Sequence, residues 1–106
     1  MILTTCETIA GKKIVKTIGL AKGNTVRSRH VGRDIGAVFR NIVGGEVKEY
    51  TKLLAESREQ SIDRMAEDAR SKGANAIIQI RFTTSEMMSG AAELLAYGTA
   101  VVVEDE

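Results

Sequence analysis

The densest set of polar side chains lies between residues 25 and 34, directly before a segment with the apolar pattern of a helix. It contains three arginines, the single histidine and one aspartate: Arg27, Arg29, His30, Arg33 and Asp34. Guanidinium groups beside the free N–H groups of a helix N-terminus favour binding of phosphate or carboxylate. The alternative is a solvated loop whose arginines pair with acids elsewhere. These five residues are the candidate ligand-binding residues.

Metal coordination is a second chemistry that the residue types allow. His30 is the only histidine and Cys6 the only cysteine. No Cys-x-x-Cys or His-x-x-x-His spacing occurs, so one chain is not expected to build a closed zinc site. A ring of identical copies would supply one ligand per copy around its axis, or two across each contact. His30 and Cys6 are therefore the candidate metal ligands, with a structural role for each as the alternative.

Nucleophilic catalysis has little support in the sequence. A reactive thiolate needs Cys6 beside His30, and no pattern indicates that contact. Ser28 lies two residues before His30, a spacing that does not form the relay of a catalytic triad. Gly44 and Gly45 lack the Gly-Lys-Ser/Thr ending of a phosphate-binding loop. We expect no enzymatic activity.

Apolar periodicity predicts the elements that position these residues. Apolar stripes of helical period mark a short helix and a long one that ends at Gly73, and alternation with period two marks strands. The two N-terminal strands are expected to pair with each other. The predicted strands are 2–6, 14–21, 75–84 and 91–103, and the predicted helices are 32–43 and 46–72.

The faces of the last two strands carry most of the apolar side chains. Simple alternation in 75–84 places four of them on one face: Ala76, Ile78, Ile80 and Phe82. The last strand is apolar on both faces, so helices on one side of the sheet would leave a second apolar set in water: Leu95, Tyr97, Val101 and Val103. Large exposed apolar faces usually have partners. We expect another copy of the chain to cover this set.

The length of the second helix leads to the same expectation. A helix over 46–72 is roughly 40 Å long at about 1.5 Å per residue, whereas a compact domain of 100 residues has a radius of gyration of about 13 Å. The helix therefore either breaks near Ser57–Ser61 or extends beyond its own domain and packs against a neighbouring copy. We favour assembly into a homo-oligomer.

Composition limits the remaining possibilities. A length of 106 residues fits one domain spanning 1–106. Fifteen basic and 14 acidic residues leave a formal charge of +1, so a nucleic-acid partner is not expected. No run approaches the roughly 20 apolar residues that cross a membrane. One cysteine and an N-terminus without a secretory pattern favour the cytoplasm.

Several motifs distributed over nearly the whole chain resemble the YbjQ-like family of heavy-metal-binding proteins. They are Thr4-Thr5, Gly11, Arg33-Asp34, Val43-Gly44-Gly45, Tyr50, Ala55 with Arg58, Gly73-Ala74-Asn75-Ala76 and Gly98-Thr99-Ala100-Val101. The resemblance implies a small α+β subunit that assembles as a homopentameric ring, with pairing of two rings into a decamer as a further step. It implies no established reaction.

The chain departs from the family pattern at two places. It has Arg29-His30 before the Arg-Asp pair, where many members have a small residue and Asn, and it has Arg81 and Thr83 where many have acids. If those acids bind metal in other members, their loss removes ligands here, and His30 could replace them or serve a different ligand.

Together, these observations predict an α+β fold whose subunits assemble into a ring. A small antiparallel or mixed sheet of three to four strands packs against one long and one short helix, and the subunits form a homo-oligomeric ring. The segment from Arg27 to Asp34 lines the subunit contacts and binds a small ligand, with a metal ion as the first candidate. The alternatives are a binder of phosphorylated or other anionic molecules and a scaffold without ligand.

Overall fold

The computed structural model describes the backbone of residues 1–28, 45–88 and 91–106. These ranges contain one long helix and four strands of a single sheet. The predicted helix at 32–43 lies outside the described residues. The elements are β1 (Ile2–Leu3), β2 (Lys12–Ser28), α1 (Gly45–Ser71), β3 (Ala76–Met88) and β4 (Ala91–Asp105). No helix within these ranges is long and apolar enough to span a membrane.

The sheet is mixed, with strand order β1-β3-β4-β2. The long strands β2 and β3 each pair antiparallel with β4, whereas β1 pairs parallel with the start of β3. The predicted pairing of the first two strands is therefore wrong. Ile2 lies opposite Ala76, and its side chain packs against an apolar cluster that includes Ile78. Strand propensity predicted that this segment is extended, but the cluster it joins determines its partner.

An irregularity in β3 changes which side chains share a face. The register against β4 shifts between Ile78 and Arg81, and Gln79 has a φ of 52° within this shift. Because an extra residue reverses the alternation, Ile77 and Ile80 both join the helix-side core. Ala76 and Ile78 pack on the opposite side. The predicted common face for 76, 78, 80 and 82 is wrong for this reason.

Helix α1 lies unusually close to β2, because a glycine occupies the contact. A Cβ atom at Gly23 would lie 2.2 Å from the backbone N of Met65 and 2.4 Å from the carbonyl O of Ser61. The neighbouring core residues are mostly small, including Ala21 and Ala69, which are both fully buried. Small side chains at this interface therefore set the distance between the helix and the sheet.

Three buried hydroxyl groups join the helix to the sheet beside this contact. Thr25 Oγ1 lies 2.6 Å from Ser57 Oγ and 3.2 Å from Ser61 Oγ, and Ser61 Oγ is also 3.1 Å from the carbonyl O of Leu94. The helix is continuous here, so the alternative of a break near Ser57–Ser61 is wrong. In this weakly apolar part of the helix, Ser57 and Ser61 contact hydroxyl and carbonyl groups rather than aliphatic side chains.

The helix ends where the sequence predicted, at Gly73. This residue has a φ of 91°, a conformation that glycine adopts without strain. Its N–H donates to the carbonyl of Arg70, and the N–H of Ala74 donates to that of Ala69, both at 3.0 Å. These two bonds form a Schellman motif. Ala69 and Ala74 are both in the helix-side core, so the residues that cap the helix are also packed in that core.

Side chains of α1 also close the free edge of β2. Lys72 Nζ donates to the carbonyl of Leu20 at 2.9 Å, Lys22 N donates to Asp68 Oδ2 at 2.9 Å, and Arg64 Nη1 donates to the carbonyl of Asn24 at 2.6 Å. Arg64 and Asp68 of α1 and Lys72, which directly follows it, are spaced four apart and lie on one face. They occupy outward-facing backbone groups that could otherwise pair with another strand.

The sheet face away from α1 is covered along only part of its length. Val101 and Val103 are buried in a cluster with Ala76 and Ile78, and partly buried Ile2 and Ile9 pack against it. The expectation that these two valines require another copy for burial is therefore wrong, because the N-terminal segment covers them. The rest of this face remains open, with Leu95 and Tyr97 half-buried.

Substitution of Gly23 tests the close helix contact. In Gly23→Ala, the new methyl group meets helix backbone that cannot rotate away, so the helix must shift. We expect a loss of unfolding free energy at the upper end of the roughly 1–3 kcal/mol typical of overpacking, measured by urea denaturation. Lys22→Ala, at the exposed neighbouring position, is the control and should change stability by less than about 0.5 kcal/mol. Equal stability of the two variants would contradict this packing.

Acid titration tests the closed edge of β2. The backbone N–H of Lys22 lowers the pKa of Asp68 below its ordinary 3.8; burial opposes this shift, while Lys72 adds to it. The charged form therefore stabilises the fold above pH 3.8, and that stabilisation is lost as pH falls through the lowered value. Asp68→Asn should cost about 1 kcal/mol at neutral pH, with the difference from the parent disappearing at low pH. Asp63→Asn on the same helix is the control, and an equal pH response in both variants would refute the assignment.

Candidate functional site

The structure places only part of the predicted ligand-binding segment. Arg27 lies in β2 opposite Ala92, close to the end of the β2–β4 pairing. Arg29, His30, Arg33 and Asp34 lie outside the described residues. The grouping of these four with Arg27 therefore stays a prediction.

Cys6, the other predicted metal ligand, is exposed and has a free thiol. It lies in the segment after β1, where its N–H donates to Thr4 Oγ1 at 3.1 Å and its carbonyl accepts from the N–H of Gln79 at 3.0 Å. In the described ranges, no three residues of the types His, Cys, Asp and Glu lie close enough to hold a metal ion. Cys6 therefore needs further ligands from outside these ranges or from another molecule.

A polar cleft of about 370 Å³ lies at the edge of β2. It is lined by Lys22, Asn24, Asp68, Glu93 and Leu95. Both carboxylates already accept hydrogen bonds, since Asn24 Nδ2 donates to Glu93 Oε2 at 2.9 Å and Asp68 accepts from the N–H of Lys22. The cleft lies three residues along β2 from Arg27. Because Lys22 and Lys72 place positive charge beside Asp68, the cleft suits a polar organic ligand better than a bare cation.

Sequence reasoning missed the polar cleft for a clear reason. Lys22 and Asn24 alternate with buried residues in a strand, a pattern typical of a solvated face. Their contacts with Asp68 and Glu93 join positions 46 and 69 residues apart in the chain. No local spacing could have indicated these pairs.

A second cleft, of about 400 Å³, is mainly apolar and lies beside the start of β3 on the helix side. It is lined by Leu3, Thr4, Thr5, Ile62, Met65, Ile80 and Phe82. Leu3 and Phe82 are 40% and 44% exposed, so the cleft opens to the surface. Nearby, Arg81 Nη1 donates to the carbonyl of Thr5 at 3.1 Å and to that of Ile80 at 2.8 Å. Arg81 thereby holds the N-terminal segment against β3. The lining of the cleft suits apolar side chains.

The buried hydroxyl groups of Thr25, Ser57 and Ser61 do not form a nucleophile site. Each lies within hydrogen-bond distance of another hydroxyl, and Ser61 also contacts two carbonyl oxygens. Ser57 and Ser61 are 3% and 0% exposed. Their geometry serves the attachment of the helix to β2.

Comparisons with known proteins identify relatives along the whole chain. The YbjQ family model, described as "Putative heavy-metal-binding", matches residues 1–104. A UPF0145 protein of Dehalococcoides mccartyi strain BAV1 is 57% identical over 104 residues, which cover 98% of this chain and 100% of the relative. A UPF0145 protein of Clostridioides difficile strain 630 is 55% identical over 106 residues, covering 100% of this chain and 95% of the relative.

The fold also has a counterpart among solved structures. A crystal structure of a protein of unknown function from Pediococcus pentosaceus, assigned to the DUF74 family, superposes with a TM-score of 0.63. The two chains are 14% identical, and the match covers 98% of each, so the likeness concerns the fold alone. With the family model and relatives above 50% identity over the same length, the chain belongs to the YbjQ (UPF0145) family.

Proposed function

We propose that this chain is a cytoplasmic, non-enzymatic binding protein whose copies close into a homopentameric ring. A small ligand binds at the contacts between subunits, with a heavy-metal ion as the first candidate. The family description supports a metal, and the exposed, unpaired thiol of Cys6 is compatible with a reducing compartment.

The observation that carries the assembly is the uncovered half of the sheet face away from α1. Leu20 and Val26 on β2 are 57% and 50% exposed. On the face opposite the helix, Leu20 lies opposite Thr99 and Val26 opposite Glu93, with half-buried Tyr97 and Leu95 at the diagonal positions. Lys22 and Asn24 lie between these two residues on the same face, so the open surface combines exposed apolar side chains with the polar cleft. A second copy that covers it would complete a core that the single chain leaves unfinished.

The shape of the subunit supports the same proposal. The radius of gyration is 17.1 Å, whereas a compact chain of this size has a value of about 13 Å. Strand β2 alone, with 17 residues, extends over roughly 55 Å at about 3.3 Å per residue. An elongated subunit buries less of its apolar surface than a compact one, and packing side by side in a ring removes that deficit.

The proposal of metal binding at the contacts is supported by the exposed thiol of Cys6. Cys6 is exposed and accessible to a neighbour, and thiolate ligands select soft metals. Lys22 and Lys72 lie beside Asp68 at the polar cleft, and their positive charge disfavours a cation there. Cys6, together with His30, therefore remains the candidate ligand set, completed by equivalent residues of adjacent copies.

Charge placed on the open sheet face should disrupt the ring. Leu20→Glu introduces a carboxylate at the centre of the proposed contact, where it would lose its hydration. We expect native mass spectrometry to show a loss of the ring in favour of smaller species. Leu54→Glu is the matched control, because Leu54 is 49% exposed but lies on α1. A parent protein that is monomeric at high concentration would defeat the proposal, as would an L20E variant that keeps the ring.

Metal uptake should require Cys6 and the assembled ring. Untagged protein, equilibrated with a panel of divalent and soft monovalent ions, should retain one ion type in native mass spectra and elemental analysis. Cys6→Ser should lose that ion while keeping the mass of the ring, and Thr8→Ser in the same exposed segment is the control. A chelator should lower the thermal midpoint of the loaded parent only. A ring that takes up no ion from the panel would refute the metal and leave the polar cleft for an organic ligand.

A further inference from the structure

The polar cleft at the edge of β2 is a cavity that the proposed metal site does not use. Its lining takes side chains from β2, β4 and α1: Lys22, Asn24, Glu93, Leu95 and Asp68. A volume of about 370 Å³ lies within the range that is usual for sites of small organic molecules. All the lining residues belong to one chain, so this cleft is complete without Cys6 or a neighbouring copy.

At one end of the cleft, positive charge exceeds negative charge. Lys72 Nζ lies 3.2 Å from Asp68 Oδ2, which also accepts the backbone N–H of Lys22 at 2.9 Å. The charge of Asp68 is thus matched by Lys72, and the ammonium group of Lys22 is a further positive charge. In the described ranges, no carboxylate lies within ion-pair distance of Lys22 Nζ. This end therefore favours the anionic group of a ligand.

The other end of the cleft is negative. Glu93 is half-buried, and its Oε2 accepts a hydrogen bond from Asn24 Nδ2 at 2.9 Å. Because the side-chain amide of Asn24 is neutral, this bond orients the carboxylate without cancelling its charge. Arg64 donates to the carbonyl O of Asn24, and within the part of the chain that the structure describes no basic side chain forms an ion pair with Glu93. A half-buried carboxylate of this kind favours the cationic group of a ligand.

The strand register sets the distance between the two ends. Lys22 and Asn24 are two residues apart on one face of β2, which corresponds to roughly 7 Å at about 3.3 Å per residue. The hydrogen bond from Asn24 holds the carboxylate of Glu93 near its own level along the strand. Leu95 lies directly opposite Asn24 and gives the cleft an apolar side. The lining thus matches a molecule with two opposite charges joined by an aliphatic chain.

A molecule with only one of these charges is less suitable. The positive charge around Lys22 repels a bare cation, and Glu93 repels a simple anion. We propose that the polar cleft binds a short aliphatic zwitterion, an ω-amino carboxylate, with its carboxylate on Lys22 and its ammonium group on Glu93. A chain of about five carbon atoms spans the distance between these two groups. The proposal depends on neither the metal nor the ring.

Titration with δ-aminovalerate tests the assignment on the unmodified protein. This probe has a carboxylate and an ammonium group at opposite ends of an aliphatic chain. Heteronuclear NMR should show saturable shifts of the backbone amides of Lys22 and Leu95 and of the side-chain amide of Asn24. Valerate and pentylamine, which each carry one of the two charges, should bind about tenfold more weakly. Absence of saturable shifts with δ-aminovalerate, or equal binding of either single-charge probe, would overturn the proposal.

Removal of the charge at each end gives a second test. Lys22→Met keeps the backbone N–H that Asp68 accepts, and Glu93→Gln keeps an acceptor for the amide of Asn24, so both variants should fold. Each variant should bind δ-aminovalerate about tenfold more weakly than the parent. A folded variant of either kind with the parent's affinity would contradict the assignment of that end.

Matched substitutions elsewhere on the same two strands are the controls. Lys16→Met in β2 and Glu104→Gln in β4 change exposed side chains outside the cleft and should bind the probe like the parent. Cys6→Ser should also leave the titration unchanged, although it should remove the proposed metal. Binding that is lost in these controls as well would show a general charge effect and refute the site.

Discussion

The close contact between α1 and β2 at Gly23 is the constraint on which the rest of the fold depends. With the helix backbone at the position where a Cβ would lie, the hydroxyls of Thr25, Ser57 and Ser61 come within hydrogen-bond distance. The same proximity lets longer helix side chains reach over the edge of β2. One missing side chain thus allows a buried polar cluster and a closed sheet edge.

This arrangement makes the subunit asymmetric. One edge of the sheet is occupied by Arg64, Asp68 and Lys72, whereas the other is covered only as far as Ile80. One face packs on the helix, and the opposite face is covered by the N-terminal segment around Val101 but open around Leu20. Among the residues that the structure describes, part of one strand edge and half of one sheet face are thus uncovered.

The asymmetry also bears on where a ligand can bind. The two carboxylates that line the polar cleft already stabilise the fold. Asp68 accepts a hydrogen bond from the backbone N–H of Lys22, and Glu93 accepts one from the side-chain amide of Asn24. Cys6 is exposed, but the described chain brings no second and third ligand to it. Its position in the segment after β1 leaves it accessible to other molecules.

Local patterns in the sequence determined the elements with short-range causes. The long helix was predicted at 46–72 and lies at Gly45–Ser71, and its cap at Gly73 depends only on a left-handed conformation that glycine adopts freely. The two faces of β4 were also predictable, because that strand has no register shift that breaks its alternation at Ala96, Ala100 and Val101. The family was recognisable from motifs along the whole chain.

Only the tertiary structure decided the features that depend on distant partners. The pairing of β1 with β3, the shift around Gln79 and the burial of Val101 by the N-terminal segment each involve residues far apart in the chain. Alternation shows that a segment is extended, but an added residue reverses its faces and its neighbour is chosen by packing. The polar cleft was invisible for the same reason. Four of its residues meet through the pairing of β2 with β4, and Asp68 joins them because a glycine lets the helix approach β2.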